Sequence, residues 1–509
     1  MKIFKTLLLV GVFSVIPSLI LFAQERETFE EFNKKRQERF DAFKEQRRKE
    51  FEEFRRKRNE EFAKYMRGKW DAVDPKPVTP KPKDETIPPV VVPKDEPVPV
   101  NPEPKPVPIV EVVPVPELEP QPEPIDPIEE VPVTPVAPVQ PSVSFTFFGT
   151  TDKVRFDKKN SIHLSSLNEN AIADAWLKLS EESYTNLIHD CLELRKNYDL
   201  CDWAYLQMLR DVSESVCGKG TNESVLLMAY VYCQSGYQMR LAIDGQKLHL
   251  LVASKHHIFG LSYFNLDGTN FYPFLRDGDR INDRVYICAA SFPQEKAMSL
   301  LVPKAQEFAV NYKGQRTIKS ERYPNVAATI KVNQNLMSFY NTYPTSMLDE
   351  NIMTRWAMYA NTPLAKDVKD QLYPQLRPLI SGKSQLDAVN IILNWVQTGF
   401  EYEYDDKVWG GDRAFFAEES LNYPYCDCED RSILFTRLVR DLLGLKCIIV
   451  FYPGHLAAAV RFTDSVSGGD YIQLNGQRYI VSDPTYIGAP VGMTMPNMDN
   501  QTAKVILLE

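Results

Sequence analysis

Histidine is scarce in this chain. There are six in 509 residues, at His163, His189, His249, His256, His257 and His455. Only His455 lies beyond residue 257, so imidazole chemistry built in the C-terminal domain has one candidate. No glycine-rich loop of the phosphate-cradling kind and no nucleic-acid module is found, which excludes the common nucleotide-driven chemistries. An excess of basic charge is also missing: the formal net charge is −9, which argues against nucleic acid as the main partner. No cysteine follows the apolar run at the N-terminus, which argues against a lipoprotein. The eight cysteines, at positions 191, 201, 217, 233, 288, 426, 428 and 447, lack regular spacing. The length allows roughly two to four domains, too much chain to need a disulfide framework.

What is present is distributed unevenly. Residues 1–24 order Lys2 and Lys5, an apolar run from Leu7 to Phe22, and Ala23-Gln24. That is the pattern of a secretory signal peptide, so the chain is expected to be exported, to a periplasm, cell envelope or medium. Residues 25–70 form a charged helix with an internal repeat. Phe29, Phe40, Phe51 and Phe62 recur every eleven residues, each followed three positions later by Phe32, Phe43, Phe54 and Tyr65. Eleven residues complete three turns, so these rings keep one helix face. A lone helix cannot bury such a stripe, and self-association or contact with a membrane surface is the expected use. Residues 71–142 carry most of the 37 prolines and are expected to be a disordered, extended linker, spanning up to roughly 200 Å.

From residue 143 the composition becomes globular. Ala171 to Leu209 predicts helices, Ala327 to Val332 a strand, and Ser384 to Thr398 a helix with Leu386, Val389, Leu393 and Val396 on one face. The chemistry is concentrated later. Asp427 is an N-cap for a helix that carries Ile433, Leu434, Leu438, Val439, Leu442 and Leu443 and stops at Gly444. Cys428 then takes the first helical position, where unsatisfied N–H groups and the positive helix end favour the thiolate. Glu429 and Asp430 oppose this, so a base is needed. A buried strand, Lys446 to Phe451, leads through Pro453-Gly454 to His455 at the head of a second strand. A third strand, Arg478 to Val481, ends at Ser482-Asp483-Pro484-Thr485, where Asp483 can accept from the imidazole and fix its tautomer.

A helix-borne Cys-x-Asp, a strand presenting His, and a strand ending in Asp-Pro-Thr together resemble the transglutaminase-like superfamily over roughly residues 386–486. Cys426 departs from the pattern, standing where glycine is common in that family. The resemblance implies a papain-like α+β fold and an acyl-transfer site with Cys428 as nucleophile, His455 as base and Asp483 as its orienter. It implies attack on a carboxamide or peptide carbonyl, with the acyl group passed to water (a cysteine protease or other hydrolase) or to an amine (cross-linking). The backbone N–H of Cys428 is then an oxyanion donor, and Asn422, Tyr425 and Trp409 are candidates for a second. The substrate is expected to be protein or peptide. No cofactor or metal is expected: a zinc site through Cys426, Cys428 and His455 has the wrong spacing, since Cys-x-Cys is not the usual metal pair. Cys447 is expected in the core.

The stretch from Gly220 to Leu226 repeats the register of Cys428 to Leu434. Asn222 falls on Asp430, Ser224 on Ser432, Gly236 on Gly444, and His249 near His455, while Gly220 takes the nucleophile's place and Leu275 that of the acid. A duplicated fold is expected, with a degenerate pseudoenzyme domain at 143–290, a β-rich connector at 291–345 and a catalytic domain at 346–509. Cys217 is the rival nucleophile for His249. The alternative reading of the whole chain is a non-catalytic envelope binding or scaffold protein on the same fold.

Overall fold

The computed structural model describes residues 29–68, 70–82, 86–92, 100, 102–126, 128–131, 141–276, 279–281, 284–496, 498 and 503–509. The expected signal segment lies outside them. The chain divides into two compact units, one ending at Phe51 and one running from Glu52 to Glu509.

The described part of the first unit is helical, within a helix of 38 residues, Phe29–Met66. Phe29, Phe32, Phe40 and Phe43 are all exposed on it. Cationic side chains one turn away cover some of the rings: the Lys44 ammonium sits 4.7 Å from the Phe40 centroid and the Arg47 guanidinium 5.0 Å from that of Phe51. No helix among the described residues is long and apolar enough to cross a membrane.

The second unit mixes helices with mainly antiparallel sheets. Its first sheet has the order Asp71–Val73, Val285–Cys288, Met239–Asp244, Lys247–Ala253, Thr269–Pro273, Phe264–Leu266, with every pair antiparallel. Its largest sheet has the order Lys105–Pro106, Asp470–Leu474, Gln477–Ser482, His455–Arg461, Lys446–Tyr452, Lys504–Leu507, Glu111–Val113. The five inner strands of that sheet run antiparallel, and the two outermost are parallel additions. Both sheets thus grow from a central hairpin that directly follows a buried helix, Asn222–Gln234 in one case and Cys428–Leu443 in the other. In both, the second strand of the next hairpin joins one side and the last strand in sequence joins the other. The expected helices form at Glu169–Leu179, Thr185–Asn197, Asp202–Cys217 and Gln385–Thr398, the last capped by Ser384. The expected β-rich connector holds one two-stranded hairpin, Arg316–Lys319 with Ala327–Ile330, followed by a helix, Gln334–Thr342.

The described parts of the proline-rich segment are not a free spacer. They supply an edge strand to the first sheet and both edges of the largest one. Val92, Val107 and Val113 are buried. Proline cannot donate to a ladder, so a chain rich in it adds to a sheet only at the edge. The intervening valines provide the side chains that hold it there.

Candidate active site

The Cys428–Leu443 helix begins as its sequence dictates. The Asp427 carboxylate accepts from the N–H groups of Glu429 (3.1 Å) and Asp430 (3.3 Å), rather than from that of Cys428. Asp430 reaches back to the N–H of Asp427 and also accepts from that of Phe415 at 2.8 Å. The capping box therefore fixes the helix start and ties it to the chain upstream. Gly444 ends the helix in a left-handed conformation, φ 66°.

The strand His455–Arg461 is pinned to that helix start. Ser432 Oγ donates to the Leu456 carbonyl at 3.1 Å. His455, the preceding residue, is hydrogen-bonded through Nε2 to Asp483 Oδ2 at 2.8 Å. The carboxylate can only accept, so Nε2 carries the proton. His455 Nδ1 is buried with no partner among the described residues, which leaves that nitrogen free to act as a base. The ring lies nearly parallel to Tyr452, centroids 6.3 Å apart. The other oxygen of Asp483 accepts from the N–H groups of Thr485 (2.8 Å) and Tyr486 (3.2 Å), so the Asp-Pro-Thr turn holds its own carboxylate.

A buried glutamine fixes the turn from behind. Gln397 Nε2 donates to the carbonyls of Asp483 (2.9 Å), Tyr486 (2.8 Å) and Ala489 (3.0 Å), and its Oε1 accepts from Gly488 N–H. Arg431, fully buried one turn into the Cys428–Leu443 helix, donates to the carbonyls of Gln397 and Phe400, both at 2.9 Å. Neither residue was anticipated from sequence. The helix carries three arginines, Arg431, Arg437 and Arg440, and no local pattern singles out Arg431 as the fully buried one.

The electrostatics of the site are those of a closed one. Cys428 and His455 are each 1% exposed and Asp483 2%. Burial raises the Cys428 thiol well above the ordinary range, and the charges of Asp427 and Glu429 add to it, opposed by the Leu456 N–H. The expected thiolate-favouring effect of the helix end is thus outweighed in this state. Tyr402 lies alongside: burial raises its phenol strongly, and Cys428 and Asp427 add to that. The contacts of the three oxyanion candidates lead elsewhere. Asn422 accepts from Gln334, Trp409 packs on Phe415 and Tyr423, and Tyr425 bridges to Glu401.

Cys426 is buried with its N–H on the Glu401 carbonyl (3.0 Å), and its thiol is raised by burial and lowered by Arg431. Cys447 is a buried strand residue. All eight cysteines are free thiols. The metal-capable clusters among the described residues are Asp405 with Asp412 and Glu429, and Asp427 with Glu429 and Asp430, neither containing Cys428 or His455. Arg355 supplies a countercharge there. Its guanidinium pairs with both Asp412 carboxylate oxygens and lies 3.1 Å from Glu429, whose same oxygen accepts from the Trp356 indole at 2.6 Å.

In the first sheet's module, Gly220 does not stand at the first helical position. Thr221 caps the helix, accepting from Ser224 N–H at 3.1 Å, so Gly220 precedes the cap, at φ 82°. A Cβ at Gly220 would lie 2.6 Å from the Arg276 guanidinium. Asn222 holds the following hairpin, accepting from Leu248 N–H (2.9 Å) and donating to the Gln246 carbonyl (3.1 Å). His249 is buried, with Nε2 3.8 Å from the Asp244 carboxylate, and burial lowers its pKa. Gly220, His249, Leu275 and Arg276 line one cavity of about 290 Å³. Cys217 ends the preceding helix, with a thiol that burial pushes up to about 12. Family models, curated proteins and solved structures all lack a match to this chain.

Proposed function

We propose that the chain is an exported thiol enzyme of the transglutaminase-like type, acting on amide bonds of protein or peptide substrates. The observation that carries this reading is the His455–Asp483 hydrogen bond, which leaves Nδ1 free beside the Leu456 carbonyl that Ser432 of the Cys428 helix holds. In this reading His455 takes the Cys428 proton and the sulfur attacks the amide carbonyl carbon. The C–N bond breaks, and the imidazolium returns the proton to the departing amine. The thioester then passes its acyl group to water or to an amine. Asp483 keeps the imidazole in the working tautomer and supports its positive charge. The two similarly ordered sheets support a duplicated fold, in which the module around Gly220 has lost both nucleophile and acid and serves as a pseudoenzyme domain.

The test is alkylation of Cys428 by iodoacetamide in the full chain, followed by mass spectrometry, with Cys447 as internal reference. His455→Ala is expected to slow labelling of Cys428 by about 100-fold, in line with general-base assistance. Equal rates in the two proteins would sink the reading. The burial of the triad favours a second reading, a binding module that uses the same fold without chemistry. It requires Cys428→Ser to retain full biological function.

A further inference from the structure

The triad is sealed, and part of the seal comes from far away in the sequence. Residues Thr86 to Val92, Thr-Ile-Pro-Pro-Val-Val-Val, run past the site in extended form. Ile87 N–H donates to the carbonyl of Gly454, the residue before His455, at 2.7 Å. Val92 N–H donates to the Ile487 carbonyl at 2.9 Å, and Ile487 N–H returns a bond to the Val90 carbonyl at 2.9 Å. Val91 and Ile487 thus pair as a parallel bridge four residues beyond Asp483. Val92 is buried against Tyr486, Ala489 and Met495, with Ile87 and Val90 beside it.

We infer that Thr86–Val92 is a strap that occupies, in cis, the groove in which an extended apolar peptide substrate lies against the Gly454 and Ile487 backbone. The inference rests on the proposed activity of Cys428. Backbone pairing to the loops that carry His455 and Asp483 is a general way to receive a peptide, because it is indifferent to side-chain identity while pockets for alternate side chains select. Here the side chains selected are aliphatic: Ile87 and Val92 fill the apolar lining and Val91 points out, 61% exposed. The strap belongs to the same chain, so its effective concentration is high, and a peptide in trans competes only when the strap is displaced. The two prolines at its centre, Pro88 and Pro89, keep it extended and remove two N–H donors, so it holds on through few bonds and can be released without unfolding the body.

The test uses the full chain and the double substitution Ile87→Pro/Val92→Pro, which deletes two strap donors and touches no triad residue. Iodoacetamide labelling of Cys428 is expected to rise roughly 30-fold, as the loss of two backbone hydrogen bonds allows, with Cys447 labelling unchanged. Added synthetic peptide of the Thr86–Val92 sequence should slow it again. The control Val91→Asp, at the outward position, should label as the wild type does. Unchanged Cys428 labelling in the double variant overturns the strap, as does a rise shared by Cys447. Combining the double variant with His455→Ala separates the two ideas. Fast labelling that no longer depends on His455 keeps the strap and removes the enzyme, whereas slow, His455-dependent labelling in every strap variant keeps the enzyme and removes the strap.

Discussion

Gln397 donates its side-chain amide to the backbone carbonyl of Asp483 across 2.9 Å of a fully buried interior. The same amide group serves three carbonyls of the 483–489 turn. Gln397→Ala therefore leaves several buried acceptors without donors. A loss of about 3 kcal/mol is expected in thermal or denaturant unfolding. Reactivity of Cys428 should fall with it, because the carboxylate that orients His455 is carried on that turn.

Asp483→Asn keeps the size of the side chain and removes its charge. Labelling of Cys428 is expected to drop by at least about 100-fold, because the amide can present N–H to Nε2 and reverse the tautomer. A rate within threefold of wild type, in the strap-released background, would show that His455 needs no orienter.

Arg355 stands between Asp412 and Glu429 at 2% exposure. Arg355→Met leaves two buried carboxylates facing one another, and a loss of about 3–5 kcal/mol is expected in denaturant unfolding. The triple change Arg355→Met/Asp412→Leu/Glu429→Leu should recover much of it, since removing the arginine together with both its partners is less costly than orphaning two.

Glu418 is buried with its carboxyl raised to about 7 by desolvation, against the lowering effect of the Ala365 N–H. The folded value lies above the ordinary glutamate value of 4.5. The associated stability is therefore complete below pH 4.5 and lost as pH rises through 7. Glu418→Gln should flatten the pH dependence of unfolding between those limits by up to about 3 kcal/mol. Its amide can accept from Ala365 and donate to the Tyr340 hydroxyl, the two partners the carboxyl now has.

The aromatic face of the N-terminal helix is expected to drive self-association of the full chain. Phe29→Ser/Phe32→Ser/Phe40→Ser/Phe43→Ser should lower the sedimenting mass. An unchanged mass together with lost binding to anionic vesicles assigns the face to a membrane surface instead.

The parts of this molecule legible in its sequence are those written in local pattern. The Asp427 cap, the Gly444 stop, the hairpin that presents His455 and the Asp-Pro-Thr turn each depend on neighbouring residues, and the structure brings His455 and Asp483 together as the order of elements implies. The eleven-residue register of the helix was equally plain. What was not legible depends on distant partners. Gln397 looks like an ordinary helix residue until the 483–489 turn is placed over it, and Arg431 until the Gln397 and Phe400 carbonyls are brought to it. The proline-rich segment has no periodicity to announce which valines are buried, because its strands are defined by the sheets they join. Composition alone gave it as a free linker, while its described parts are sheet edges. The shift of Gly220 out of the helix has a similar origin: Thr221 is the better cap, and one-to-one register with Cys428 could not show that.

The edge strands drawn from residues 105–113 have a consequence for the integrity of the whole molecule. Each closes a flank of the largest sheet that would otherwise present a row of bare amides and carbonyls. Trimming the chain back to residue 142, as its composition invites, would open both flanks at once. Such a fragment would meet its own copies edge to edge and come out of solution. On the Lys105–Pro106 edge, Pro106 has no N–H to offer the outer side, so a further strand finds no donor there.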